Sequence, residues 1–375
     1  MKEKQKVLIL RGRSTDPAIG KVAKSLYLHG YEIHLLLWHR YGKLTFVPEN
    51  ESYHVKYFSF RAPQDKTSAV LFYPFWWIYQ FLIILYIRPD IIHACDLDTL
   101  YPAVIWKFFR HKKFVYHIYD YYANNITIGK FRSLISRIII LVDKIEKFGI
   151  GFSDLLILAD EIRYEEVKGA SIKKIIFLYN TPEDTNNLRS ISLKGTNSPI
   201  DILYIGIIQY NRGITQIIRA ISDLSNVKLT LAGPLVNKEI IADIDKKKIQ
   251  YIGWIPTYDE VISKTKEADI LFRLSDPYHP STKYASPNKL FEAMMCAKPI
   301  IVSDNSSMAV IVRNEKCGIV IPYEDTEAIK KAIICLIDDV DYRERLGNNG
   351  RKAYENKYSW TIMEQRLRDA YDSLK

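Results

Sequence analysis

A chain of 375 residues is long enough for two domains, each with its own core. Hydrophobic residues at 48% and charged residues at 26% exclude a disordered chain. The 53 basic residues against 43 acidic ones, net +10, suit an anionic partner (nucleotide, nucleic acid or acidic membrane) without choosing among them.

From the N-terminus, "KVLILRG" reads as a strand, followed by a helix over roughly 18–29 and the strands "EIHLLLW" and "HVKYFSF". The run before that helix, "VLIL", is too short for a signal-peptide core. Residues 67–87, "TSAVLFYPFWWIYQFLIILYI", carry no charge and approach the ~20 residues that span a bilayer. A single crossing would separate two strands of one sheet, so a transmembrane helix is rejected. Two readings stay open: a helix covered on every side, or an interfacial helix with Trp76, Trp77 and Tyr79 at a lipid surface. Next come "DIIHACD", a helix near 98–109, "KFVYHIYD", a helix near 131–148, "DLLILAD" and "IIFLYN". Lys130, Arg132, Arg137, Lys144 and Lys147 give the 131–148 region a basic face suited to anionic lipid. Continuous apolar strands alternating with helices predict a parallel sheet covered on both faces.

Residues 183–199, "EDTNNLRSISLKGTNSP", are polar, turn-rich and without period, and read as a linker. The pattern then restarts with "DILYIG", the helix "GITQIIRAISDL", "VKLTLAG", a helix near 237–246, "IQYIGW", a helix near 258–266 and "DILFRL". The helix in "SPNKLFEAMM", "PIIVSD", "CGIVIP", the helix "DTEAIKKAIICLIDD" and a last helix near 360–374 complete the chain. The expected domains are 1–182, 200–358 and a separate C-terminal segment 359–375. Two doubly wound α/β sheets would face a cleft at the C-terminal edges of their strands.

Four cysteines, Cys95, Cys296, Cys317 and Cys335, form no CxxC pair. Neither a disulfide framework nor a zinc site is expected, and reduced thiols fit the cytoplasm. No GxGxxG follows the first strand, where only Gly12 and Gly20 occur, which argues against a dehydrogenase. The second half instead offers two strand–loop–helix turns with a cation at the helix start, Arg212 and Lys289. Ser286 reads as the N-cap and Pro287 as the first position of the second helix. Lys289 therefore sits where the helix dipole already presents positive charge, and an anion is needed to make it tolerable. Two such cations with free helix amides suit a diphosphate, and Glu292, on the same face as Lys289, suits the paired hydroxyls of a ribose. The alternative is an ordinary surface pair between Lys289 and Glu292, with Arg212 solvated.

These residues resemble a known family. "SPNKLFEAMMCAKPIIVSD", "YIGIIQYNRGI", "VKLTLAGP", "IQYIGWIP", "PDIIHACDLDTL" and the closing "YSW" look like a GT-B glycosyltransferase of family 4, over almost the whole chain. The resemblance implies two Rossmann-like domains, with the last helix crossing back onto the first. It implies a retaining, metal-independent transferase, without cofactor, that moves a sugar from a UDP- or GDP-linked donor to a glycan or lipid-linked acceptor. Carried over, the donor set is Gly12, Arg212, Ser286, Asn288, Lys289 and Glu292, with Arg212 and Lys289 stabilising the leaving diphosphate. Asp120 is the acceptor-side candidate. Tyr284, Ile207, Tyr119 and Cys95 stand where many members carry glutamate, a basic residue and two histidines, which leaves the donor sugar open. His93 is expected to pack inside its strand, and His279 lies in a loop near the donor site. Asp16, Asp96 and Asp98 also read as residues that simply start the helices after them. Two rival functions share the phosphate site: a nucleotide-sugar epimerase and a non-catalytic binding module. Nucleic-acid binding rests on charge alone and is not expected. The expected location is cytoplasmic and peripheral at the inner face of the cell membrane.

Overall fold

The computed structural model describes residues 4–14, 17–40, 53–63, 70–125, 132–184, 199–241, 248–276, 284 and 288–375. The chain divides into two units, Met1–Tyr179 with Met363–Lys375, and Asn180–Ile362. Most of the stretch read as a linker, 185–198, lies outside the described residues, as do Asp16, Lys130, His279, Ser286 and Pro287. The final segment is counted with the first unit from Met363 onward.

The first unit is a parallel sheet of seven strands in the order β3-β2-β1-β4-β5-β6-β7. The strands are β1 (Lys6–Arg11), β2 (Glu32–Trp38), β3 (Tyr53–Phe58), β4 (Ile91–Cys95), β5 (Lys113–Ile118), β6 (Leu155–Leu158) and β7 (Ile175–Phe177). Helix α1 (Pro17–Leu28) follows β1. A 3-10 turn (Val70–Phe72) leads into α2 (Tyr73–Ile87), and α3 (Leu97–Arg110) and α4 (Arg132–Ile150) follow β4 and β5. A short α5 (Tyr164–Val167) was not expected from the sequence. Trp76 and Ile84 of α2, Leu100 and Trp106 of α3 and Ile150 of α4 share one core with Leu8, Leu36, Ile92 and Phe114 of the sheet. The three helices therefore form one layer on one sheet face.

Helix α2 corrects the reading of a helix covered on every side. Tyr73, Trp76, Gln80, Ile84 and Ile87 are buried. Leu71, Phe75, Ile78, Leu82 and Leu85, at steps of four, three, four and three, are exposed. The segment has two apolar faces, and only one of them is covered. Among the described residues no helix is long and apolar enough to cross a membrane.

The second unit is a parallel sheet of six strands in the order β10-β9-β8-β11-β12-β13. These are β8 (Ile200–Ile205), β9 (Val227–Ala232), β10 (Ile249–Gly253), β11 (Ile270–Arg273), β12 (Ile300–Ser303) and β13 (Gly318–Ile321). The helices are α6 (Ile214–Ala220), α7 (Tyr258–Glu267), α8 (Asn288–Met295), α9 (Ser307–Glu315), α10 (Thr326–Asp338), α11 (Val340–Ala353) and α12 (Trp360–Asp372), the last running into the first unit. Near 237–246 only a 3-10 turn, Lys238–Ile241, is described in place of the expected helix. Helix α11 was missed because "LGNNG" reads as a turn. Its glycines serve packing instead: a Cβ on Gly347 would overlap the carbonyl of Ala297, just past α8. Arg351 caps the same end by donating to the Met295 carbonyl at 2.7 Å.

In an unobstructed helix Gly→Ala stabilises by about 1 kcal/mol. Here the added methyl meets backbone that cannot rotate away, and overpacking costs about 1–3 kcal/mol. Gly347→Ala should therefore lower the stability of the second unit in urea titration, and a gain would contradict the close contact.

Candidate functional site

In each sheet the strand order reverses once, between β1 and β4 in the first and between β8 and β11 in the second. Chains leaving the C-terminal ends of those strand pairs diverge, and a crevice opens there.

In the first unit Gly12 ends β1 at this point, and Asp96 and Asp98 follow β4. A Cβ on Gly12 would fall inside the Asp98 carboxylate, so glycine is required by the approach of that side chain. Asp96 does not cap α3: its backbone has φ 64° and its side chain makes no cap bond. Its Oδ1 instead accepts from the amides of Tyr119 and Asp120 at 2.8 and 2.9 Å, and its Oδ2 pairs with Arg11. Asp98 accepts from the Tyr122 hydroxyl at 3.0 Å and faces Arg40 at 3.5 Å. Its backbone carbonyl accepts from Trp77 and Gln80 of α2, both at 3.0 Å. The reading of Asp96 and Asp98 as mere helix starters is thus corrected: both organise the loop after β5. Asp120, the acceptor-side candidate, pairs with Arg13 at 3.2 Å and is held through its own amide.

Burial, with Asp96 beside it, pushes the Asp98 carboxyl up, while Arg40 and Arg11 pull it down. Glu146 of α4 lies deeper, accepting from the Tyr116 hydroxyl at 2.7 Å. Burial pushes Glu146 up to about 8. His93 is fully buried, as expected, with Nδ1 2.7 Å from the Tyr371 hydroxyl and Nε2 3.1 Å from His117 Nδ1. Burial lowers His93 to about 3 and His117 well below the usual range, so the pair is neutral and joins β4, β5 and the final helix. With Cys95 these histidines place three ligand-type atoms within 4.8 Å of one another, a cluster the Cys spacing did not suggest.

In the second unit Arg212 ends a 3-10 turn after β8, and Gly213 follows at φ 68° with Leu274 against its Cα. The structure adds Arg273, the last residue of β11, which the sequence reading passed over. Its guanidinium donates to the Tyr204 hydroxyl at 3.1 Å. That hydroxyl donates in turn to the Ile207 carbonyl at 2.8 Å. Burial, and the nearby charge of Arg212, lower Arg273 to about 10, so it remains a cation at neutral pH. Among the described residues the Nε atoms of Arg212 and Arg273 are both buried with no hydrogen-bond partner. Two neighbouring guanidiniums with unused donors have the chemistry to hold an anion. An arginine closing the apolar strand "DILFRL" was the signal available in sequence.

Lys289 occupies the first turn of α8, and the anion it meets is Glu292, 2.6 Å away. This is the pairing of the alternative reading, but it is not a surface pair. Glu292 is 1% exposed and also accepts from Tyr258 of α7 at 3.2 Å. Removing Lys289 alone would strand a buried carboxylate, so its loss cannot leave the fold untouched. Asn288 precedes it in the same turn, half-buried, and Tyr284 is half-buried in the loop before.

Two parallel, doubly wound units, each with its polar residues at the switch point, define a GT-B glycosyltransferase fold. Residues 184–353, within the second unit, match the family model for glycosyl transferases group 1. It is 29% identical over 196 residues to the capsular polysaccharide biosynthesis glycosyltransferase CapM of Staphylococcus aureus, covering 51% of this chain and 50% of CapM. The chain spans about half the length of curated relatives such as this one. Sucrose-phosphate synthase from Thermosynechococcus elongatus has the same fold, with TM-score 0.75, 14% identity and 99% of each chain covered. So does HepE of Anabaena in complex with UDP, with TM-score 0.72, 15% identity, and 98% of this chain and 100% of HepE covered.

The buried groups predict a pH profile for the first unit. Glu146 is raised from 4.5 to about 8, so its contribution is full below 4.5 and is lost as pH rises through 8. His93 and His117 are depressed, so theirs is full above 6.5 and is lost as pH falls. Glu146→Gln should therefore raise the melting temperature more at pH 8 than at pH 5. A pH-independent difference between variant and parent would mean that Glu146 is ionised throughout.

Proposed function

We propose that the chain is a retaining, metal-independent glycosyltransferase that moves a sugar from a UDP or GDP donor to an acceptor hydroxyl in cell-surface glycan or glycolipid assembly. The observation that supports this reading is the pair Arg212 and Arg273 at the switch point of the second sheet, whose buried Nε donors find no partner among the described residues. A nucleoside diphosphate leaving a sugar gains negative charge in the transition state. Guanidiniums already in place stabilise it without reorganisation, an effect of roughly 3 kcal/mol for each well-placed donor. The Lys289–Glu292 pair supplies a cation for the same phosphates and a carboxylate for the ribose hydroxyls, each exchanging its present partner for the donor. In the first unit Asp120, steadied by Asp96, is the acceptor-side carboxylate. The leaving phosphate takes the acceptor proton on the same face, as retention of configuration requires. CapM is named for capsular polysaccharide biosynthesis, and HepE was solved with UDP, both of which favour a nucleotide-sugar donor and a surface glycan.

Calorimetric titration with UDP and GDP, followed by transfer assays with the matching sugars, tests the proposal. Arg212→Ala and Arg273→Ala should each weaken nucleotide binding by roughly tenfold, the loss of one charge-assisted contact. Lys289→Ala should be compared with Lys289→Ala/Glu292→Gln, which leaves no stranded charge; both should bind nucleotide more weakly than the parent. Unchanged affinity in the two arginine variants, or an isomerised donor without transfer, would overturn the reading.

A further inference from the structure

The outer surface of the α2–α3–α4 layer has no role in the chemistry above, yet it is built from side chains that water does not favour. The exposed row runs from Leu71, in the 3-10 turn before α2, along that helix to Tyr86, the latter 75% exposed. Phe108 and Phe109 end α3, 69% and 70% exposed. On α4, Ile140, Leu141, Ile145 and Phe148 are exposed as well. Between α2 and α3 lies an apolar groove of about 270 Å³, lined by Trp77, Ile78, Leu82, Tyr101 and Ile105 among others. Single exposed apolar side chains are ordinary, but a continuous layer of them marks a contact surface.

The charges on this layer identify the contact. Arg88 and Arg110 stand at the C-terminal ends of α2 and α3, beside Tyr86 and Phe109, and Arg137 and Lys144 rise from α4. All four are exposed. Among the described residues neither Arg137 nor Lys144 forms an ion pair. The acids of these helices are spent elsewhere: Asp98 and Glu146 are buried and Asp143 pairs with Lys147. A two-fold contact between copies of this chain would set the same cations against one another, which opposes self-association. Rows of Leu, Ile and Phe flanked by Arg, Lys and Tyr match the boundary between acyl chains and anionic headgroups.

We infer that the first unit docks on an anionic bilayer through the outer face of α2, α3 and α4. The inference deepens the proposed function, on which it rests for its meaning, by naming the surface where a lipid-linked acceptor is met. Helix α2 lies in the interface with its second apolar face among the lipid chains, which is why both of its faces are apolar. The same helix holds the Asp98 carbonyl through Trp77 and Gln80, so the docking element directly supports the switch-point cluster of this unit.

The test is flotation of the full chain with phosphatidylcholine vesicles, with and without phosphatidylglycerol, at low and high salt. Binding should require phosphatidylglycerol and fall as salt rises. Ile78→Ser/Leu82→Ser and Arg137→Glu/Lys144→Glu should each weaken it by about tenfold or more, since several cations act together at such a surface. Circular dichroism and UDP affinity, read on the same samples, should match the parent. Absence of flotation at low salt, or flotation that neither double variant reduces, overturns the inference. So does a dimer in light scattering that Ile78→Ser/Leu82→Ser dissociates while vesicles stay unbound, which would assign the face to a second copy. Intact UDP binding without flotation removes only the docking surface, whereas flotation without UDP binding removes only the proposed donor chemistry.

Discussion

Parallel pairing is the constraint on which the rest depends. Every strand of both sheets points the same way as its neighbours, so each βα loop leaves from one edge. Helices must then cover both faces, and the backbone can gather polar side chains only at that edge. Because each strand order reverses once, one gap per sheet is left unfilled by a crossing connection. The residues at those gaps are the ones that break ordinary packing preferences: a glycine pressed against a carboxylate in the first unit, and two half-buried arginines with buried Nε atoms in the second.

The two units arrange charge at their switch points differently: acids face cations in the first, and two cations lie together in the second. In the first, Asp96 and Asp98 face Arg11 and Arg40, and Asp96 also accepts from two neighbouring amides. That cluster sets each carboxylate against a cation, although Asp98 Oδ2 and Arg40 Nε make no hydrogen bond among the described residues. In the second, Arg212 and Arg273 each keep an Nε without a partner among the described residues, and Arg273 donates to the Tyr204 hydroxyl. Leaving a buried donor unpaired costs about 1–3 kcal/mol, so the two Nε atoms weigh against the stability of the second unit. Lys289 and Glu292 satisfy each other, with Tyr258 also donating to the carboxylate.

Packing explains two places where pattern and structure part. Gly347 and Gly350 interrupt the sequence of α11 as a turn would, but they form the strip on which the helix meets the end of α8. Helix α2 is apolar all round, a pattern that pointed equally to burial and to an interface. Which face is covered is decided by α3 and the sheet, and one face is left open.

The alternation of apolar runs and helical periods determined the strands of both sheets, because parallel strands buried on both faces read as continuous Val, Ile and Leu. The "SPNKLFEAMM" stretch placed Lys289 and Glu292 on one face by the helical period alone. The sequence also carried Arg273 in plain view, but an arginine at a strand end has meaning only beside the strand that pairs with it. Strand β8, some 70 residues earlier, brings Tyr204 and Arg212 to that point, and this pairing belongs to the tertiary structure. The same holds for Gly12 and Asp98, and for His93 and Tyr371: local patterns name the elements, whereas contacts distant in sequence follow only once the sheet order is set.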